Sequence, residues 1–282
     1  MNPNAAMNPS ADLDLPYPLA PEQKAFFDKN GYAKLKDVLS PAAIKRYGPE
    51  ISRLVKALNK QARPMEERSL YEQAFLQIMN LWTRSEKVKA FVLSKRLAKI
   101  AADLLGVRGV RIYHDQALYK EPGGNYTPWH ADQYYWPLAT DRTVTAWIPL
   151  QETPLEMGPL SFAARSQNKD LGRDLPITKE GNVKIQQAVD EGHFEIDESP
   201  YELGEVSFHL GWTFHRAGPN TTGRPRAVMT VIYMDADMIL AEPKNKNQAR
   251  DWETWCPGAK IGEPIDTPLN PVAYHGSPGS DG

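Results

Sequence analysis

Between residues 107 and 240 the chain runs as short segments rich in β-branched and aromatic residues, punctuated by Gly, Pro, Asn and Asp: VRIYHDQALYK, YTPWHAD, TVTAWIPL, GPLSF, YELGEVSFHL and RAVMTVIYMD. This composition suits a pleated, half-buried surface better than a helix. No regular helical pattern alternates with the segments, which argues against a βαβ sheet and for an antiparallel sandwich or jelly roll. A mainly β fold with flanking helices is expected.

The stretch 20–106 reads as mostly helical. APEQKAFFDKNG suggests a short helix closed by Gly31, and KLKDVL a strand leading to a capped start at Ser40-Pro41. AAIKRYGPEISRLVKALNK continues as helix, with an interruption expected near Gly48-Pro49. In SKRLAKIAADLLG, Ser94 is placed to cap and Gly106 to stop a helix. Its Leu97, Ile100, Ala101, Leu104 and Leu105 share one face suited to bracing a sheet. Residues 1–19 and 276–282 read as disordered tails. The charged stretch 167–192 breaks the strand pattern and reads as a long surface loop, of the kind that often serves as a lid. No linker divides 20–275, so a single domain is expected.

Composition removes several function classes. A formal charge of −2 over 282 residues gives no electrostatic reason to expect nucleic acid or an anionic membrane as a partner. The single cysteine, Cys256, excludes an internal disulfide and a thiolate-rich zinc site. The N-terminus lacks the pattern of a secretory signal, and no segment approaches the roughly 18 apolar residues of a membrane span. A cytoplasmic monomer is the expectation, with the sequons at Asn125 and Asn220 fortuitous. Phosphate-loop, nucleophile-elbow and dinucleotide fingerprints are missing.

Within the β region, His130 and Asp132 stand two apart, so on an extended strand both side chains point to one face. His215 ends another expected strand 83 residues beyond Asp132 (215 − 132). Neighbouring strands of a jelly roll could bring the three together. Two imidazoles and a carboxylate are the set that holds non-haem Fe(II) on one face and leaves the opposite positions open. Arg226, eleven residues after the second histidine (226 − 215), could pair with a carboxylate of a co-substrate. Spacing alone leaves two other readings: a zinc-dependent hydrolase or isomerase using the same ligands, and a non-catalytic jelly-roll binding protein. Neither needs a cation at position 226.

The segments PWHADQYYWPL, VTAWIPL and EMGPLSF, followed by GEVSFHLGWTFHRAGPNTTGRPRAV, resemble the phytanoyl-CoA dioxygenase family. Weaker similarity runs from EQKAFFDKNGYAKLKDVLS to CPGAKIGEPIDTPLNPVAY, nearly the whole chain. The resemblance implies a double-stranded β-helix (jelly roll, cupin-like) core and the cofactors Fe(II), 2-oxoglutarate and O2. It implies iron ligation by His130, Asp132 and His215, and Arg226 on the distal carboxylate of 2-oxoglutarate. Trp147, Gln116 and Gln77 match co-substrate-lining positions. Some members carry a serine where this chain has Ala217, a contact that Thr127 could supply. Related halogenases replace the aspartate with Ala or Gly, so Asp132 favours hydroxylation, with release of succinate and CO2. The chain shows no basic cluster suited to coenzyme A, which points to a small, partly apolar metabolite as substrate.

For the remaining candidates two readings stand side by side. Tyr134 and Trp136 follow the ligand segment and would either pack the core or wall the substrate. His114 is a structural histidine or one that meets the substrate. His209 reads as structural or hydrogen-bonding, while His193 and His275 read as surface histidines. Trp252 and Trp255 read as packing residues, Lys120 and Arg216 as solvated charges, and Cys256 as non-catalytic.

Overall fold

A computed structural model describes residues 11–191 and 193–276. The N-terminal third contains α1 (Ala11–Asp14), α2 (Pro21–Asn30), β1 (Tyr32–Leu35), α3 (Pro41–Leu58), α4 (Leu70–Ala74), β2 (Leu76–Met79), α5 (Glu86–Val92) and α6 (Lys95–Leu105). Strands then dominate: β3 (Gly109–Lys120), β4 (Thr127–His130), β5 (Thr143–Pro149) and β6 (Leu160–Ala163). After α7 (Lys179–Asp190) come β7 (Ile196–Asp197), β8 (Val206–Leu210), β9 (His215–Ala217) and β10 (Arg226–Asp235). Helix α8 (Lys246–Trp255) and β11 (Val272–His275) complete the described chain.

The strands form two antiparallel sheets. The larger has the order β1-β8-β5-β10-β3-β11, with β2 also paired to β3, and the smaller has the order β4-β9-β6-β7. Sequence neighbours are rarely sheet neighbours, which is the connectivity of a jelly roll. The central strands β5 and β10 are buried along both faces. Helix α6 lies on the outer face of the large sheet, capped by Ser94 at Leu97 N and closed by Gly106 in the left-handed conformation. Its Leu97, Ile100, Ala101 and Leu104 are buried as the periodicity predicts. No helix among the described residues is long and apolar enough to cross a membrane.

Four expectations change. Residues 11–14 of the expected tail form α1, with Leu13 buried, the Asp12 carboxylate accepting from Ser40 N, and Leu13 O accepting from the Ser94 hydroxyl. Residues 1–10 and 277–282 lie outside the described residues. Helix α3 continues through Gly48-Pro49. A proline inside a helix costs about 3 kcal/mol, whereas burying Ile44, Tyr47, Ile51, Leu54 and Val55 contributes about 1.5–3 kcal/mol each, and the carbonyl freed four residues back belongs to exposed Lys45. The excursion at 167–192 contains α7, with Thr178 accepting from Gly181 N and Ile185 and Ala188 buried. Finally, β1, β2 and β11 join the large sheet from outside the expected 107–240 core.

Candidate metal centre and its pocket

The small sheet builds the centre. Strands β4 and β9 pair so that His130 and His215 are direct cross-strand partners, their rings 4.1 Å apart. Asp132 opens a 3-10 turn after β4, which carries its carboxylate back toward both rings. Its Oδ1 lies 3.6 Å from each Nε2. One ligand atom from each of the three residues falls within 4.8 Å of the others, a spacing that a single ion could bridge.

Each imidazole is oriented by its other nitrogen. His130 Nδ1 donates to Pro128 O at 2.7 Å, and His215 Nδ1 donates to Thr213 O at 2.9 Å. That tautomer leaves both Nε2 lone pairs free for a metal. Burial, reinforced by His130 and His209, pushes the His215 ring well below its ordinary value. Burial also works against ionisation of Asp132, but His215, His130 and His209 outweigh it and hold the carboxyl well below the usual range. Neutral imidazole and ionised carboxylate are the forms that ligate. Thr145 Oγ1 donates to Asp132 Oδ2 at 3.3 Å.

A cavity of about 600 Å³ opens from this centre between the sheets. Arg226, at the start of β10, lies at its inner end, 1% exposed, with its guanidinium carbon 5.4 Å from the Trp147 ring centre. One guanidinium nitrogen donates to Gly158 O, yet Nε has no partner, and no carboxylate lies within ion-pairing distance among the described residues. Burial pulls the guanidinium down to about 10, which still leaves it a cation at neutral pH. A buried, unpaired cation is an incomplete site that an anion would complete. Gly158 has φ of +66°, and a Cβ there would sit 2.1 Å from Gly218 O, so only glycine lets these two loops meet beneath Arg226.

Most of the expected residues reach this cavity. Trp147, Gln116, Gln77, Thr127, Trp136, His114 and Ala217 line it, and Gln77 Nε2 donates to Gln116 Oε1 at 2.5 Å. Tyr134 does not line it; its ring packs edge-on against Tyr135, and Tyr135 faces the cavity instead. His209, expected to be structural or hydrogen-bonding, stands beside the centre. Its Nε2 lies 3.5 Å from Asp132 Oδ2, and neither ring nitrogen has a well-aligned hydrogen-bond partner. Trp255 also lines the cavity, while Trp252 donates to Ala259 O and packs. Lys120 is fully buried opposite Arg226 and donates to Asn125 O, contrary to the solvated charge expected. Burial and the Arg226 charge push it down to about 6. Arg216 pairs with Glu198 at 3.0 Å. His193 and His275 are exposed, and Cys256 is buried. Asn220 is fully buried and donates to three carbonyls, which leaves no room for a glycan.

Thr145 and Asp251 are not among the residues expected, and within the aromatic run after the ligand segment Tyr135 takes the place expected of Tyr134. Asp251 and Trp255 are four apart on α8 and so share a face, a signal present in RDWETW.

Known proteins resemble the chain over most of its length. The probable alpha-ketoglutarate-dependent hypophosphite dioxygenase of Stutzerimonas stutzeri is 22% identical over 240 residues, 77% of this chain and 79% of that protein. Among solved structures, the non-heme alpha ketoglutarate dependent carbocyclase SnoK from nogalamycin biosynthesis superposes with a TM-score of 0.73 at 24% identity, covering 92% of this chain and 99% of SnoK. The epimerase SnoN, in complex with Fe3+, alpha ketoglutarate and nogalamycin RO, gives 0.73 at 22% identity, covering 90% and 98%. A profile of the phytanoyl-CoA dioxygenase (PhyH) family matches residues 27–228, well over half of the sequence, and the chain belongs to that family.

Proposed function

We propose that residues 20–275 form one Fe(II)- and 2-oxoglutarate-dependent oxygenase domain that hydroxylates an unactivated C–H bond of a small, partly apolar metabolite. The observation that carries this reading is Arg226, a buried cation with an unpartnered Nε in the same cavity as the His130, Asp132 and His215 triad. A hydrolase or a simple metal-binding jelly roll has no use for that cation.

The donor set fits iron: two imidazole Nε2 atoms and one carboxylate oxygen converge from one side, with the cavity on the other. Bound iron with 2-oxoglutarate and O2 would supply an oxidant able to remove hydrogen from a C–H bond, with succinate and CO2 released. The chain's part is to hold and to exclude. Pro128 O and Thr213 O fix the ligand rings, and Thr145 steadies the second carboxylate oxygen, with the His209 ring 3.5 Å from it. Arg226 would take the distal carboxylate of 2-oxoglutarate beside Trp147, with Gln116, Gln77 and Thr127 as further polar contacts. Trp136, Tyr135 and Met79 give the substrate half an apolar wall that keeps water from the reacting end.

The test is anaerobic titration of the Fe(II)-loaded protein with 2-oxoglutarate. A weak visible charge-transfer band is expected in wild type and not in Arg226→Met at the same co-substrate concentration. Absence of the band in wild type at saturating iron overturns the reading. Since the structural neighbours include a carbocyclase and an epimerase, product analysis is the readout that separates hydroxylation from other outcomes.

A further inference from the structure

The cavity has a second end that the metal centre and Arg226 leave unused. Helix α8 brings Asp251, Thr254 and Trp255 to it, and β3 brings His114. His114 is 5% exposed, held between Tyr113 and Trp255 at ring separations of 5.1 and 5.0 Å, and its Nδ1 has no hydrogen-bond partner. Asp251 accepts one long hydrogen bond, 3.5 Å from the Tyr113 hydroxyl. Among the described residues no cation lies within ion-pairing distance of it. Arg250, the preceding residue, is exposed at the rim.

Two under-satisfied polar groups therefore face the same end: Asp251, with one long hydrogen bond and no ion-pair partner among the described residues, and His114, whose Nδ1 is unpaired. Burial raises the Asp251 carboxyl to about 7 against the smaller opposing pulls of Tyr113 and the Arg250 charge, and lowers the His114 imidazole to about 4 against the pull of Asp132. Around them the wall is aromatic: Tyr71, Phe75, Tyr135 and Trp136 join Trp255. A half-buried carboxylate without a cation is unfavourable unless the occupant supplies one. Aromatic faces stabilise the same occupant, because their negative quadrupole attracts a cation. A second carboxylate would be repelled here, and a purely apolar group would leave both polar groups dry and unpaired.

We propose that the prime substrate is a small amine, its ammonium group bound by Asp251 among these aromatic rings. Neutral His114 accepts a second N–H, and the carbon skeleton points toward the metal. The proposal rests on the oxygenase reading for the identity of the opposite end, but the recognition of the amine does not require iron.

The test uses isothermal titration of the full chain at pH 7.5, first metal-free and then with Mn(II) and 2-oxoglutarate. The probes are arylethyl- and cycloalkylethyl-amines, each paired with the alcohol of the same skeleton. At least one amine is expected to bind tenfold or more tightly than its alcohol, and Asp251→Asn is expected to remove that preference. Asp251→Glu, which keeps the charge, is expected to retain part of it. The proposal is overturned if no amine exceeds its alcohol in wild type, a comparison that needs no variant, or if Asp251→Asn keeps the preference. A missing charge-transfer band with intact amine preference would instead sink the oxygenase reading alone.

Discussion

His130 and His215 each commit one ring nitrogen to a backbone carbonyl two residues earlier, at 128 and 213. The strand itself thus sets the tautomer that a metal requires. Replacing any of His130, Asp132 or His215 with Ala should remove iron binding and turnover together, read by metal analysis after desalting and by succinate formation. Wild-type turnover in Asp132→Ala would refute the assignment. Lys120 makes a separate prediction at this scale. Burial lowers its folded pKa to about 6 from 10.5. Between those values the unfolded chain holds a proton that the folded chain does not, so stability rises with pH across the window. Below about 6 both states are protonated and the penalty is complete. The urea midpoint should therefore climb from pH 6.5 to 8.5, and the climb should flatten in Lys120→Met; an unchanged slope in that variant counts against the buried amine.

At the scale of elements, the centre depends on how an edge strand is held. Strand β4 ends the small sheet, and an exposed edge would leave its backbone unpaired. Helix α7 covers it: Asn182 Oδ1 accepts from Trp129 N, and Gln186 Oε1 accepts from the Trp129 indole, each at 2.9 Å. Asn182 and Gln186 are one turn apart on the same face, adjacent to the ligand His130. Tyr135 ties the segment before α7, its hydroxyl accepting from Ile177 N at 2.7 Å. Asn182→Ala should cost about 1–3 kcal/mol by leaving a buried N–H unpaired, and metal affinity should fall with stability. Unchanged metal affinity would mean that β4 holds its ligand without α7. Sequence made the strand-rich core legible because β-branched and aromatic runs between turn residues are a local property, and the triad legible through the His130–Asp132 spacing together with the family resemblance. It hid α7, whose charged surface and internal Gly181 weaken the helical signal, and it hid β2, β11 and the sheet membership of the expected β1 strand, because pairing with distant strands is a tertiary choice. For His209, read as structural or hydrogen-bonding, the neighbour was hidden for the same reason: its approach to Asp132 depends on the β8–β5 register, where it faces Thr145.

For the molecule as a whole, the cavity is a place where function opposes stability. The large sheet directs two buried basic side chains, Arg226 and its cross-strand partner Lys120, to a region where no carboxylate among the described residues receives them. Removing such a cation in favour of an apolar side chain of similar length is often neutral or stabilising. Arg226→Met should accordingly be no less stable than wild type without ligands, even though it loses the hydrogen bond to Gly158 O. The order should reverse on loading. A ligand present at about 100 times its Kd stabilises by about 2.7 kcal/mol, which for a chain of this size amounts to roughly 5 °C in Tm. In Mn(II)-loaded wild type, 2-oxoglutarate should produce that increment. In Mn(II)-loaded Arg226→Met the increment should vanish while the shift caused by Mn(II) alone remains, because the triad is intact. Equal co-substrate shifts in the two proteins, followed by differential scanning calorimetry, would show that Arg226 does not hold the co-substrate. A variant markedly less stable than wild type before loading would show that the guanidinium serves the fold more than the ligand.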